Sequence, residues 1–279
     1  MDLMIDKKIK NELKKSLKTF EKSDNPKLYN LIKKVVTDRS IYYEDPFSFA
    51  VGLDTADMTL PMPEAVGNIV IELYTLASEG CFNKGTALNN LGVIYYNERY
   101  GRKDQSKALE YYIEAAQNGN EAACANLGYC YYYGSGTQID YERAYYYFSK
   151  AALKGSAEAM YKLGDMFRYG YYVDKDEDLA RIAYIKAIRF LEGDDSCFIP
   201  CTGKAYMRIG DMYYEGIGTE IDLNLALEAY QKAEAGFYEM LSLGDLYSDS
   251  SMKHVKSRIA EIMVQKEEDI PKIDWAKKY

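Results

Sequence analysis

"ALNNLGVIYY" from Ala87, "ACANLGYCYY" from Ala123, "AMYKLGDMFR" from Ala159 and "AYMRIGDMYY" from Ala205 are four versions of one phrase. Each carries a Leu-Gly or Ile-Gly pair, at Leu91-Gly92, Leu127-Gly128, Leu163-Gly164 and Ile209-Gly210, with an echo at Leu243-Gly244. The pairs are spaced by 36, 36, 46 and 34 residues. Periods of this size mark helical solenoids, in which each unit buries its apolar face only against its neighbours.

Each unit reads as two antiparallel helices. In helix A, the Ala, Leu, Gly and aromatic positions fall at i, i+4, i+5 and i+8. The aromatics are Tyr95, Tyr131, Phe167, Tyr213 and, in the echo, Tyr247. At helical pitch these positions share one face. A glycine inside a helix costs roughly 1 kcal/mol relative to Ala, so its recurrence implies close approach of helix B. Turns such as "YGSGTQID" from Tyr133 and "EGIGTEID" from Glu215 follow. Asp104, Asp140, Asp176 and Asp222 then stand four residues before Ala108, Ala144, Ala180 and Ala226. That is the place of an N-cap, whose carboxylate accepts from a free backbone N–H. Helix B ends at Gly119, Gly155 or Gly236, and Asn120 and Ser156 are placed to cap the next helix A.

The pattern A-x-x-x-L-G-x-x-Y-x-x-G-x-G-x-x-x-D-x-x-x-A-x-x-Y-Y-x-x-A-A-x-x-G resembles the SEL-like (Sel-one, SLR) repeat, a longer-period relative of the tetratricopeptide repeat. Residues 123–155 match it nearly throughout. Units near 87–119, 159–193 and 205–236 match with departures: "ERYGRKD" replaces the double-glycine turn in the first, and the third has a single Gly170 and a longer second helix. Residues 67–80 resemble a lone helix B, and residues 241–247 the start of a fifth helix A. The resemblance implies an all-α fold, a right-handed α-α superhelix of about four full repeats with partial ones at the ends, and a role in protein–protein interaction. The solenoid is expected over residues 63–250, with Pro63 opening its first helix. Residues 1–62 are expected to form a basic helical capping region and a loop, the loop covering 40–62. Residues 251–279 are expected to form a closing helix, with Val255, Ile259, Ile262 and Met263 on one face, and a tail holding Trp275.

Net charge is -8, divided as +5 over residues 1–40 and -13 over the rest. Nucleic-acid contact needs clustered cations, which the acidic array lacks. No apolar run is long enough to span a membrane. The N-terminus shows no secretory signal, so a cytoplasmic location is expected. The five cysteines, Cys81, Cys124, Cys130, Cys197 and Cys201, are read as free thiols rather than a disulfide framework. The third unit is extended by ten residues near "LEGDDSCFIPCTG", which holds Cys197 and Cys201; insertions of this kind fall on loops at one rim.

No catalytic constellation, metal set or cofactor motif is present, and His254 is the chain's one histidine. Cysteine-rich secreted members of the family are associated with penicillin binding or β-lactamase activity, which supplies an alternative reading as a hydrolase. Ser250-x-x-Lys253 and Ser23-Asp24-Asn25 occur, but in reverse order, and K-T-G is absent. The disulfide staple of that branch would join Cys124 to position 116, which is Ala116. A third reading is a weak homo-oligomer, formed by the basic N-terminal segment against the acidic body.

The leading reading is a non-enzymatic scaffold that binds a protein or peptide. If helix A lines the concave face, as the resemblance implies, then positions two before Leu and one, four and five after Gly point into a groove. These include Asn89, Tyr96 and Asn97; Tyr129, Tyr132 and Tyr133; Tyr161, Asp165, Arg168 and Tyr169; and Asp211, Tyr214 and Glu215. Val93, Ala125, Met207 and Asp245 complete the rows. Tyr offers large contact area with a polar tip at low rotamer cost. The expected partner is an extended peptide or helix, basic where it meets the Arg168–Asp211–Glu215 end. Asn90 and Asn126, just before the Leu, are expected to be structural, bonding to the neighbouring turn.

Overall fold

A computed structural model describes residues 45–54, 64–80, 83–192, 202–242 and 248–268, with the isolated positions Asn11, Asn30 and Lys33. The expected basic helices within residues 1–40, the Cys197–Cys201 insertion, positions 243–247 and the tail around Trp275 lie outside these residues.

Among the described residues, regular structure is entirely helical. The helices are α1 (Pro46–Asp54), α2 (Glu64–Glu79), α3 (Lys84–Tyr96), α4 (Gln105–Gln117), α5 (Glu121–Tyr133), α6 (Tyr141–Ala152), α7 (Ala157–Tyr169), α8 (Glu177–Glu192), α9 (Thr202–Glu215), α10 (Leu223–Ser242) and α11 (Ser248–Glu268). The chain divides into two compact units at residues 151/152, so that α1 to α6 belong to the first and α7 to α11 to the second.

The local grammar is the one the repeats predict. Asp104, Asp140, Asp176 and Asp222 each accept a side-chain bond from the backbone N–H three residues on, at 2.8–3.0 Å. Each also donates its own N–H to the carbonyl of the aromatic position in helix A, namely Tyr95, Tyr131, Phe167 and Tyr213. The aromatic residue therefore fixes where helix B starts. Asn120 and Ser156 cap α5 and α7 as expected. A Cβ added at Gly92, Gly128, Gly164 or Gly210 would stand 2.4–2.6 Å from the ring of Tyr112, Phe148, Tyr184 or Tyr230. Helix B can approach this closely only because helix A offers no side chain there. Gly136 and Gly218 make the second close approach. Both have positive φ, and a Cβ there would meet the backbone carbonyl of Gln105 or Glu177, at the start of the preceding helix B.

The expected loop over 40–62 instead contains a helix. Asp45 caps α1 through its bond from Ser48 N at 2.9 Å, and Pro46 takes the first helical position. Phe49, Ala50 and Leu53 bury against α2 in a core with Val66, Ile69, Val70, Leu73 and Tyr74. The lone helix B of residues 67–80 thus has a partner.

The other end also departs from expectation. α10 does not stop at Gly236 but runs on to Ser242, because Phe237 is fully buried and packs on Gly203 of α9. Leu241 and Ser242 close α10 and do not begin a fifth helix A. That place is taken by α11. Arg208 pairs with Asp165 as His254 pairs with Asp211, and Arg168 pairs with Glu215 as Tyr214 bonds Glu261. Every equivalent lies 46 residues on, which is also the Leu163-to-Ile209 spacing. Lys256 then stands where Gly210 does. Val255 and Ile262 of α11 are buried as expected, Ile259 is half-buried, and Met263 is exposed.

Candidate functional site

The residue before the Leu and the residues one, four and five after the Gly form one row on each helix A. In the first unit the rows of α3 and α5 are Asn90, Val93, Tyr96, Asn97 and Asn126, Tyr129, Tyr132, Tyr133. None is charged. In the second unit the rows of α7 and α9 are Lys162, Asp165, Arg168, Tyr169 and Arg208, Asp211, Tyr214, Glu215. Six of those eight are charged, so the same positions have been given different chemistry.

In the second unit the charges are spent on one another. Asp165 is 1 % exposed and accepts from Tyr184 Oη at 2.9 Å, Arg208 Nε at 2.8 Å and Lys162 Nζ at 3.2 Å. Burial alone would push the Asp165 carboxyl up, but Arg208 and Lys162 outweigh it and hold it below its ordinary value. Burial is also the largest influence on Arg208 and opposes its charge, yet Asp165 holds its pKa above the ordinary value. Asp211 accepts from Tyr230 Oη at 2.9 Å, lies 2.9 Å from His254 Nε2, and faces Arg168 at 3.5 Å and Arg208 at 3.6 Å. Arg168 and Arg258 both reach Glu215, at 3.0 and 3.3 Å. Arg258 and Tyr214 Oη then bond Glu261. The result is a charge ladder across α7, α9 and α11.

The first unit uses neutral links. Asn126 Nδ2 donates to Asn89 Oδ1 at 2.9 Å, joining α5 to α3. Asn126 therefore bonds the preceding helix A rather than a turn, and Arg208 does the same to Asp165. Tyr129 and Tyr133 lie parallel, with ring centroids 6.2 Å apart and planes 5° apart. Tyr129 also meets Phe148 edge-on at 5.3 Å, and Tyr132 packs edge-on against Tyr133 and Tyr141. Tyr96 Oη lies 3.4 Å from Ser135 Oγ, just past the end of α5.

The expected groove set therefore separates by burial. Asn89, Tyr132, Tyr161, Asp165 and Asp211 are buried. Tyr96, Tyr129, Arg168 and Tyr214 are half-buried, while Asn97, Tyr133, Tyr169 and Glu215 are exposed. Asp165 and Asp211 turn toward helix B because Tyr184 and Tyr230 offer hydroxyls there. The acids at the Arg168–Asp211–Glu215 end are matched by Arg168, Arg208 and Arg258, which removes the reason to expect a basic partner at that point. The sequence reading does not place His254 or Glu261 with the helix-A rows, although a 46-residue offset from Arg208 and Glu215 finds both.

Lys253 pairs with Asp249 at 2.6 Å, one turn away on the exposed side of α11. Cys124 and Cys130 are buried free thiols, and burial pushes Cys130 up to about 12. Among the described residues no three His, Cys, Asp or Glu side chains converge as metal ligands. Among them, too, no helix is long and apolar enough to cross a membrane.

The geometry is that of a helix-pair repeat array, and comparison with known proteins gives its class. The Sel1 repeat family model matches residues 85–120, 121–156, 157–189 and 203–235. The chain belongs to the Sel1-repeat family. It is similar to a Sel1 repeat protein from Oxalobacter formigenes, with 25% identity over 68% of this chain and 76% of that one, at a TM-score of 0.53. It also resembles c5321, a protective antigen of uropathogenic Escherichia coli strains displaying an SLR fold, with 19% identity over 90% of this chain and a TM-score of 0.51. The match spans 56% of that antigen's length. Among curated proteins no match was found.

Proposed function

We propose that this protein is a non-enzymatic interaction scaffold that binds a protein or peptide partner on the helix-A face of its repeats. Proteins built of Sel1 repeats generally serve protein–protein interaction. The observation that carries the reading here is the parallel Tyr129–Tyr133 pair, with Tyr133 54% exposed on a helix fixed by its neighbours. Large aromatics on a rigid frame supply contact area with little ordering cost. Tyr96 and Asn97 extend that surface on α3, while Tyr169, Tyr214 and Glu215 offer a second surface on the other unit.

Affinity capture from native lysate tests this. The Tyr129→Ala/Tyr133→Ala protein should lose a partner that the wild type retains, with circular dichroism unchanged. Tyr132 is unsuited to the test, since it is buried and its truncation would report folding. Retention of every partner by the double variant would overturn the assignment. A hydrolase reading finds no support in the Ser250–Lys253 pair, whose lysine is committed to Asp249.

A further inference from the structure

Separately from the helix-A face, we infer that the outer face of α8 docks an acidic amphipathic helix of a partner protein. Ala180, Ala183, Tyr184 and Ala187 turn one side of α8 into the core of the second unit. Leu179, Ile182, Lys186, Arg189 and Phe190 follow one another at helical spacing on the side away from it. At about 100° per residue and 1.5 Å rise they form a stripe roughly 100° wide and about 17 Å long. All five are exposed, the three apolar side chains at 36–42%. A surface helix ordinarily shows water its polar residues, so large apolar side chains aligned on the outer face mark an interaction surface.

The two cations decide what covers it. Among the described residues neither Lys186 nor Arg189 has a carboxylate within ion-pair distance. The surface lysines Lys84, Lys103, Lys175, Lys232 and Lys253 each hold one at 2.6–3.3 Å. Asp178, at the N-terminal edge of the stripe, faces Arg181 at 3.6 Å, and Glu177 is taken by Lys175. A partner that covers the stripe must bring its own anions, or it leaves both cations dry and without a counter-charge. The equivalent line of α4 carries Glu110 and Glu114, and that of α10 carries Glu228 and Glu239, so charge directs such a partner to α8. A flat anionic membrane would also meet the carboxylates on α10, the next helix B of the same unit; a single helix need not. About eleven helical residues span the stripe. The partner's apolar face covers Leu179, Ile182 and Phe190. Its acids meet Lys186 and Arg189, whose long stems keep their charged heads at the wet edge.

The test uses the full chain and fluorescence anisotropy with three labelled peptides of about eighteen residues, long enough to form helix. The first is alanine-rich, with leucines along one face and glutamates flanking them. The second replaces each glutamate by lysine, and the third scrambles the first so that its apolar face is lost. The acidic amphipathic peptide should bind, the other two at least about tenfold more weakly, and rising salt should weaken its binding. Lys186→Glu/Arg189→Glu should lose at least about tenfold for the acidic peptide and bind the lysine peptide in its place, an exchange that misfolding cannot produce. Lys103→Glu/Lys253→Glu, the same change of net charge at exposed sites elsewhere, should bind the acidic peptide as wild type does. So should Tyr129→Ala/Tyr133→Ala, which keeps this surface distinct from the helix-A face. No binding of the acidic peptide, equal binding of the acidic and lysine peptides, or binding unchanged in the α8 variant overturns the inference. Sedimentation with phosphatidylserine vesicles that the α8 variant loses, without peptide binding, overturns it in favour of a membrane.

Discussion

At the scale of single residues, the glycine of each Leu-Gly pair does the most to define the fold. Replacing Gly128 by Ala sets two effects against each other. Helix propensity favours alanine by roughly 1 kcal/mol. The new Cβ would stand 2.4 Å from the Phe148 ring, and overpacking typically costs about 1–3 kcal/mol. Phe148 is fully buried and cannot swing away, so the clash should win. Urea denaturation of Gly128→Ala should show a lower midpoint than wild type. A higher midpoint would mean that helix B sits further out than described. These glycines and the capping aspartates were legible in the sequence, because their reasons are local and recur each period. Asp45-Pro46 carries a helix-start signal too, an N-cap followed by proline, yet it lies outside the period and reads as loop.

At the scale of elements, the charge ladder sets how α7, α9 and α11 are registered. Asp165 is its most buried member. Its folded carboxyl lies below the ordinary value, so its stabilising effect is complete above about pH 4 and fades as pH falls through the folded value. Asp165→Asn would leave Lys162 and Arg208 without their carboxylate partner, and breaking a buried pair from one side costs about 3–5 kcal/mol. The gap in urea stability between wild type and Asp165→Asn should be widest near neutral pH and should narrow below about pH 4. A gap that stays constant down to pH 2 would show that the carboxylate charge contributes nothing. This ladder was not legible in advance. Its partners are 43 and 47 residues apart, and pairing them needs the register across a broken spacing. Counting helix faces at fixed pitch also aimed Asp165 and Asp211 at the groove. The tyrosine hydroxyls of helix B, 19 residues downstream, draw them in instead.

At the scale of the whole molecule, one repeat frame carries two chemistries. The first two Leu-Gly units stack Tyr95 on Tyr111 and Tyr131 on Tyr147, with Lys107 and Arg143 over the rings. The next two have Ala183 and Ala229 at the stacking place and Leu179 and Leu225 at the cation's. The frame was readable because it repeats; the difference between halves could be spelled out from the letters, but what it does required the contacts. Of the thirteen expected binding positions five are buried, since the sequence shows which way a side chain starts and not what it meets. One detail of the first unit turns into a clock. Cys130 lies at 0% exposure, and its thiol is held neutral up to about pH 12. A thiolate-seeking reagent can reach it only when α5 lifts from its neighbours. Its alkylation rate, followed by mass spectrometry of the peptide that contains it, should rise with urea in step with loss of helical signal. A rate that is fast and indifferent to urea would refute the burial. Bound peptide should slow that rate, so the molecule carries its own gauge of how firmly a partner closes it.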